Sequence, residues 1–269
     1  MRPLSVALVA AIGTLAFTPI AFAAHATKKA LPHSTPPLPA PYTWTGWYAG
    51  VNGGGGWSTV SNTMGIADGP LGYFTPPAIP GLNASGSGSL NGAGVFTGGV
   101  QAGYNQQIER YVYGIEADFN WLRQAAAFGG LFHYTTNGVA YLMNVSRSTD
   151  WLATVRPRIG WLMTDNVLVY GTGGFAMTDV HFNQSFTDPA TSEAVSASRV
   201  APGWTIGAGV EDHLAGNWTI KVEYLFAQLY PRTVVGQLNG PGGTSATFNN
   251  SLGNLNFNVF RLGLNYKFN

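Results

Sequence analysis

The chain has 269 residues, of which only 9% are charged and 13% aromatic, with 36 glycines, no cysteine and a formal net charge of +1. No disulfide framework or thiolate chemistry can exist without cysteine, and a net charge so close to zero argues against a nucleic-acid binder. Two classes remain: a glycine-rich β protein in water, or a β-barrel in a membrane.

Taken in chain order, Arg2 is followed by an apolar run through Phe22 and by Ala21-Phe22-Ala23, an A-x-A cleavage pattern. Residues 1–23 therefore read as a signal peptide. Pro19 near the end of the run counts against the rival reading, a transmembrane helix. Export follows, with the mature chain starting near Ala24. Residues 24–43 carry Lys28, Lys29, Pro32, Pro36, Pro37, Pro39 and Pro41 and read as an extended linker with no core of its own. Residues 44–269 fit one domain.

Strand signals recur at 46–58, 96–107, 111–121, 150–162, 167–178, 203–213, 218–229 and 258–268. Each is longer than the roughly 5–6 residues usual in a globular domain and reaches the roughly 9–11 that cross a bilayer. The connections alternate. Those at 59–95, 122–149, 179–202 and 230–257 are long, whereas 108–110, 163–166 and 214–217 are short. All long connections thus fall at one end, the layout of outer-membrane barrels. A soluble eight-stranded barrel has no reason to segregate loop length so completely. The expected fold is all-β: an eight-stranded antiparallel transmembrane β-barrel with four long extracellular loops and short periplasmic turns.

The tryptophans divide in the same way. Trp44, Trp47, Trp161 and Trp218 fall at the short-turn end, and Trp57, Trp121, Trp151 and Trp204 at the long-loop end. Indole prefers the headgroup region, so the eight are expected in two aromatic girdles. Face assignment agrees. Trp151, Ala153, Val155, Pro157, Ile159 and Trp161 alternate with a face holding Arg156 and Arg158. By the same alternation Glu116, Asp118, Glu211, Lys221, Glu223, Arg261 and Lys267 are expected in the barrel interior, where opposite charges offset one another. On the lipid face an Arg or Lys costs about 2–4 kcal/mol at the midplane. Two strands fit less cleanly. Gly171, Gly173 and Gly174 blur the faces of the fifth, and Pro157 predicts a local bulge in the fourth.

The segments WTGWYAGVNGGGGWS, GGVQAGYNQQ, YGIEADFNW, TVRPRIGWL, VLVYGTGGFA, GWTIGAGVEDHLAGNWTIKVEYLFAQL and RLGLNYKF together resemble the small eight-stranded outer-membrane proteins of alphaproteobacteria. These are the surface-antigen and opacity-like group within the wider OmpA-type barrels, often labelled porin family. The resemblance covers Trp44 to Phe268. It implies a location in the bacterial outer membrane, a role in envelope integrity and surface contacts, and a C-terminal aromatic signal (Tyr266, Phe268) read by the barrel-assembly machinery. The family commonly ends on Phe, whereas here Asn269 follows.

Chemistry has few candidates. Asp179, His181 and Ser185 form the best catalytic grouping, since Asp and His at i, i+2 share a strand face. Such spacing also arises by chance at the start of a solvated loop. His133, His181 and His213 are scattered, so no metal or other cofactor is expected, and the glycines at 53–56 lack the Lys-Ser/Thr of a phosphate loop. Arg123, Arg147, Arg199 and Arg232 lie just outside strand ends on the long-loop side. They are read either as contacts to lipopolysaccharide phosphates or as solvated loop charges. The reading is a non-enzymatic structural barrel whose partners are outer-membrane lipid and lipopolysaccharide, with no nucleic acid. Peptidoglycan and host-surface contacts stay open. The alternatives are a narrow diffusion pore and a lipid-A-modifying enzyme.

Overall fold

A computed structural model describes residues 42–268. The expected signal peptide, most of the linker and Asn269 lie outside the described residues. Strands β1 (Gly46–Asp68), β2 (Gly88–Ile108), β3 (Tyr111–His133), β4 (Ala140–Leu162), β5 (Val167–Thr187), β6 (Ser192–Ala215), β7 (Trp218–Leu229) and β10 (Leu255–Lys267) form an antiparallel ring. Each pairs with its sequence neighbour, β7 pairs with β10, and β10 closes on β1 from Tyr48↔Lys267 to Thr59↔Asn256. Closure removes the sheet edges that a bilayer could not satisfy. The closing seam is tight. A Cβ on Gly50 or Gly54 would collide with the backbone carbonyl oxygens of Leu264 and Phe260, which accounts for part of the glycine run.

The ring has the expected strand number but not the expected height. β7 and β10 are 12 and 13 residues long, while β1 to β6 run to 21–24 residues. The segments expected as long loops are largely sheet. The last of them folds into a hairpin, β8 (Val234–Asn239) and β9 (Ser245–Leu252). β9 pairs with the upper half of β1 (Asn62↔Leu252 to Asp68↔Ala246), directly above the point where β10 leaves it.

A short helix, α1 (Ile79–Gly86), follows β1 and buries Leu82. Above Asn62, β1 no longer pairs with β2, and loop side chains satisfy its freed amides: Ile66 N–H donates to Asn83 Oδ1 (3.0 Å) and Met64 N–H to Ser87 Oγ (2.9 Å).

The bulge expected at Pro157 is absent. Pairing of β4 with β3 runs through Ile115↔Pro157 without a shift, and β4 with β5 skips two positions but keeps register from Val155↔Phe175 to Arg158↔Thr172. The Thr172 hydroxyl donates to the Pro157 carbonyl (2.9 Å), replacing one ladder contact. The register shift in this pair lies higher, between Ser148 and Leu152.

Candidate functional site

Alternation along β3, β4, β6, β7 and β10 turns every second side chain inward, and below the level of Trp121 and Trp151 eight of these inward side chains are charged. Glu116, Asp118, Arg156, Arg158, Glu211, Lys221, Glu223 and Arg261 are all buried. They form one network of four acids and four bases. Arg156 Nη2 reaches Glu116 (2.6 Å) and Asp118 (2.8 Å), Lys221 Nζ reaches Glu116 (2.7 Å), Arg158 reaches Glu211 (2.6 Å), and Arg261 reaches Glu223 (2.6 Å) and Asp118 (3.1 Å). Tyr48 and Tyr170 donate hydroxyl hydrogen bonds to Glu116 (2.8 Å) and Glu223 (2.9 Å). Arg158 also lies 4.3 Å from the centre of the Tyr170 ring. Equal numbers of opposite charges, each hydrogen-bonded, are the condition under which buried ions are tolerated.

The network is covered at both ends. Below it, Trp44, Val112, Leu162, Leu168 and Tyr170 pack into an apolar plug. Trp44 is therefore not a girdle residue. It is 2% exposed, its indole N–H donates to the Asp165 carbonyl (3.3 Å) and its backbone N–H to Gln107 Oε1 (2.9 Å), which folds the segment before β1 under the mouth. Lys267 sits at this mouth as well, with Nζ bonded to the Thr43 carbonyl and 4.5 Å from the Tyr42 ring, outside the ion network. Above the network the interior is mainly apolar, through Leu152, Phe182, Leu225, Leu229 and Phe257 and then Met64, Tyr141, Met143, Phe186, Leu238 and Phe248 beneath Leu82 of α1, with Asn62, Asn250 and Gln184 hydrogen-bonded to one another among them.

The outer wall divides at the same level. Trp47, Trp57, Trp121, Trp161, Trp204 and Trp218 project outward, and Trp151 lies half-buried against Phe119 at 5.6 Å between ring centres. Tyr266 and Phe268 form an aromatic group with Trp218 at the short-turn end (5.1 and 5.5 Å). Of the arginines expected at the outer rim, Arg123, Arg199 and Arg232 are exposed. Arg147 is not. It is 1% exposed and points inward, with guanidinium bonds to Ser58 (2.8 Å) and Thr149 (3.1 Å). The cause is twofold: β4 continues as strand beyond Trp151, and the register shift between Ser148 and Leu152 changes its phase by one residue, which turns Arg147 inward as a strand position rather than a loop residue. Burial pushes its pKa down to about 10.

Asp179 and His181 are brought together, with His181 Nε2 2.9 Å from Asp179 Oδ2. Ser185 is not, because four residues along a strand is about 13 Å. Ser148 stands opposite His181 across the β4–β5 pair but makes no hydrogen bond to it among the described residues. Asp150, on the neighbouring strand, does approach, with Oδ2 3.8 Å from His181 Nε2. Sequence spacing within one strand could not find it, because the pairing that delivers it crosses the register shift. At the top, the Asp188 carboxylate accepts from the hydroxyls of Tyr73 (2.9 Å) and Tyr134 (2.8 Å), tying together the first three long connections.

An eight-stranded closed sheet that is apolar outside and ion-paired inside defines an outer-membrane β-barrel. The chain belongs to the Outer membrane protein beta-barrel domain family, whose match spans residues 14–268, and it is accordingly an outer-membrane protein. It is 35% identical over 229 residues to a 31 kDa outer-membrane immunogenic protein of Brucella melitensis, covering 84% of this chain and 85% of that one. It is 27% identical to a 25 kDa outer-membrane immunogenic protein of the same organism, over 100% of both. Among solved structures it is similar to the outer membrane protease OmpT of Escherichia coli, at 11% identity and a TM-score of 0.43 over 84% of this chain and 98% of that one.

Proposed function

We propose that the protein is a structural, surface-interacting barrel that conducts no solute and carries out no chemistry of its own. One observation carries this reading: the lumen is filled along its whole height, by the Trp44 plug, the eight-charge network and the apolar core beneath α1. An eight-stranded barrel has an interior just wide enough for its side chains, so a pore would require the ion network to open. Planar-bilayer recordings of the refolded protein are expected to give no stable conductance; a reproducible single-channel step would overturn the reading.

Against an enzyme stands the absence of a nucleophile hydrogen-bonded to His181 among the described residues. Mass spectrometry of lipid A from cells with wild-type protein and with His181→Ala is expected to be identical. The relatives' names describe them as immunogenic, which fits a tall extracellular part reachable by antibodies. Exposed Arg123, Arg199 and Arg232 are placed to contact lipopolysaccharide phosphates, to which guanidinium is matched. A triple Arg→Ala variant that retained full lipopolysaccharide binding in reconstituted bilayers would remove that part. Tyr266 and Phe268 serve as the signal for the assembly machinery, and deleting 266–269 is expected to abolish insertion.

A further inference from the structure

We propose that Asp150, Asp179 and His181 form a divalent transition-metal site on the outer wall of the barrel, at the level of the outer tryptophans. Three donor atoms converge there: His181 Nε2 lies 2.9 Å from Asp179 Oδ2 and 3.8 Å from Asp150 Oδ2, and the ligand atoms are all within 4.8 Å of one another. Ligands bound to one ion at about 2.0–2.2 Å stand roughly 3 Å apart, so only a small closure about Asp150 is required.

The backbone is built to present these groups. The register shift between Ser148 and Leu152 frees the amides of Asp150 and Trp151 from the β4–β5 ladder, and Asp179 Oδ1 takes both (2.9 and 3.2 Å). This clamp fixes the Asp179 carboxylate and leaves Oδ2 aimed at the imidazole. The same shift turns Asp150 toward His181. Its carboxylate accepts no hydrogen bond and pairs with no Lys or Arg among the described residues. Two carboxylates therefore share a single imidazole and no fixed cation. A simple Asp–His pair needs only Asp179; the second acid brings like charges together at a cost that a bound cation removes.

The donor set selects the ion. One imidazole with two carboxylates suits zinc and its first-row neighbours, while magnesium and calcium favour oxygen-only sites. Half-exposed His181 and Asp150 leave the remaining positions open to water or to an anionic headgroup oxygen. The site does not depend on whether the barrel conducts.

The test uses the full-length, tag-free protein refolded in detergent and titrated calorimetrically with zinc in excess magnesium. Wild-type protein is expected to bind one zinc ion at this site. His181→Ala and Asp150→Asn, neither of which touches the amide clamp, are expected to weaken that binding about ten-fold or more. Both variants should keep the heat-modifiable mobility of the folded barrel. Cobalt substitution gives an independent readout, a visible d–d absorption lost in the same variants. No saturable zinc binding, or binding that both variants retain with unchanged affinity, would overturn the proposal and leave the cluster a hydrogen-bonded pair beside a solvated acid.

Discussion

The lower and upper halves of the same strands are built with opposite polarity. On β4 the outward residues Ala153, Val155 and Ile159 are apolar and the inward Arg156 and Arg158 are charged. Ten residues nearer the top, the outward residues are Asn144, Ser146 and Ser148, and the inward ones are Tyr141, Met143 and Val145. β5 repeats the change, from outward Phe175 and Met177 below to outward Asn183 and Ser185 above, with Phe182 and Phe186 turned in. β5 keeps its parity throughout, whereas β4 slips by one residue at Asp150, so that its outward positions pass from odd numbers below to even numbers above. On both strands an inner and an outer face persist while the solvent outside changes. In lipid the outer wall must be apolar and charge retreats to the lumen. In water the ordinary rule returns, and the interior becomes a mainly hydrophobic core, in which the buried Arg147, Asn62, Gln184 and Asn250 are held by hydrogen bonds.

This contrast can be broken at either half. The largest effect is expected in the lower interior, where Glu223→Ala strands Arg261 and Arg156 without one of their acids. Removing one partner of a buried pair costs about 3–5 kcal/mol, to be read by urea unfolding in detergent micelles. Phe248→Ala removes a ring from the upper core, where it packs on Phe186 at 5.7 Å. The expected cost is about 3 kcal/mol, seen as faster proteolysis of the extracellular part while the heat-modifiable shift of the lower barrel persists.

One substitution at two heights separates the halves directly. Val155→Arg on the lipid face is expected to cost about 2–4 kcal/mol. Asn144→Arg on the same face of the same strand, but in water, should stay within about 0.5 kcal/mol. Equal effects in the same unfolding assay would remove the boundary.

The smallest effect is a pH dependence confined to the top. Burial, then the hydrogen bonds to Asp188, raise the pKa values of Tyr73 and Tyr134 above the ordinary tyrosine range. A raised folded value means that their stabilisation is complete below the unfolded value of about 10 and is lost as pH rises beyond it. Thermal melts should therefore show the upper part loosening above about pH 10, and Tyr73→Phe with Tyr134→Phe should remove that dependence.

Legibility in the sequence followed the same division. The membrane-spanning strands announce themselves because lipid demands apolar residues at every second position, so their charges and tryptophans could be placed by parity alone. The upper strands present Asn, Ser and Ala outward, residues with weak strand preference, and their glycines and serines read as loops. The inward alternation Tyr141, Met143, Val145 was the available signal. Trp44 and Arg147 were misplaced for related reasons. One precedes the first strand and folds under it, and the other belongs to a strand where a loop was expected. Asp179 and His181 were visible as an i, i+2 pair, while Asp150 joins them only through tertiary pairing.

The central claim, that the outer face of one strand passes from lipid to water at the level of the outer tryptophans, can be measured in a single series. The chain has no cysteine, so single cysteines at positions 142–161 of β4 can each carry a spin label in a reconstituted bilayer. The account predicts period-two accessibility on either side of Asp150, with a one-residue change of phase there. Outward positions 153, 155 and 159 should favour oxygen, as in lipid, and outward positions 144, 146 and 148 should favour a water-soluble relaxer. Oxygen-type exposure at 144 and 146, or loss of the alternation above Trp151, would contradict it.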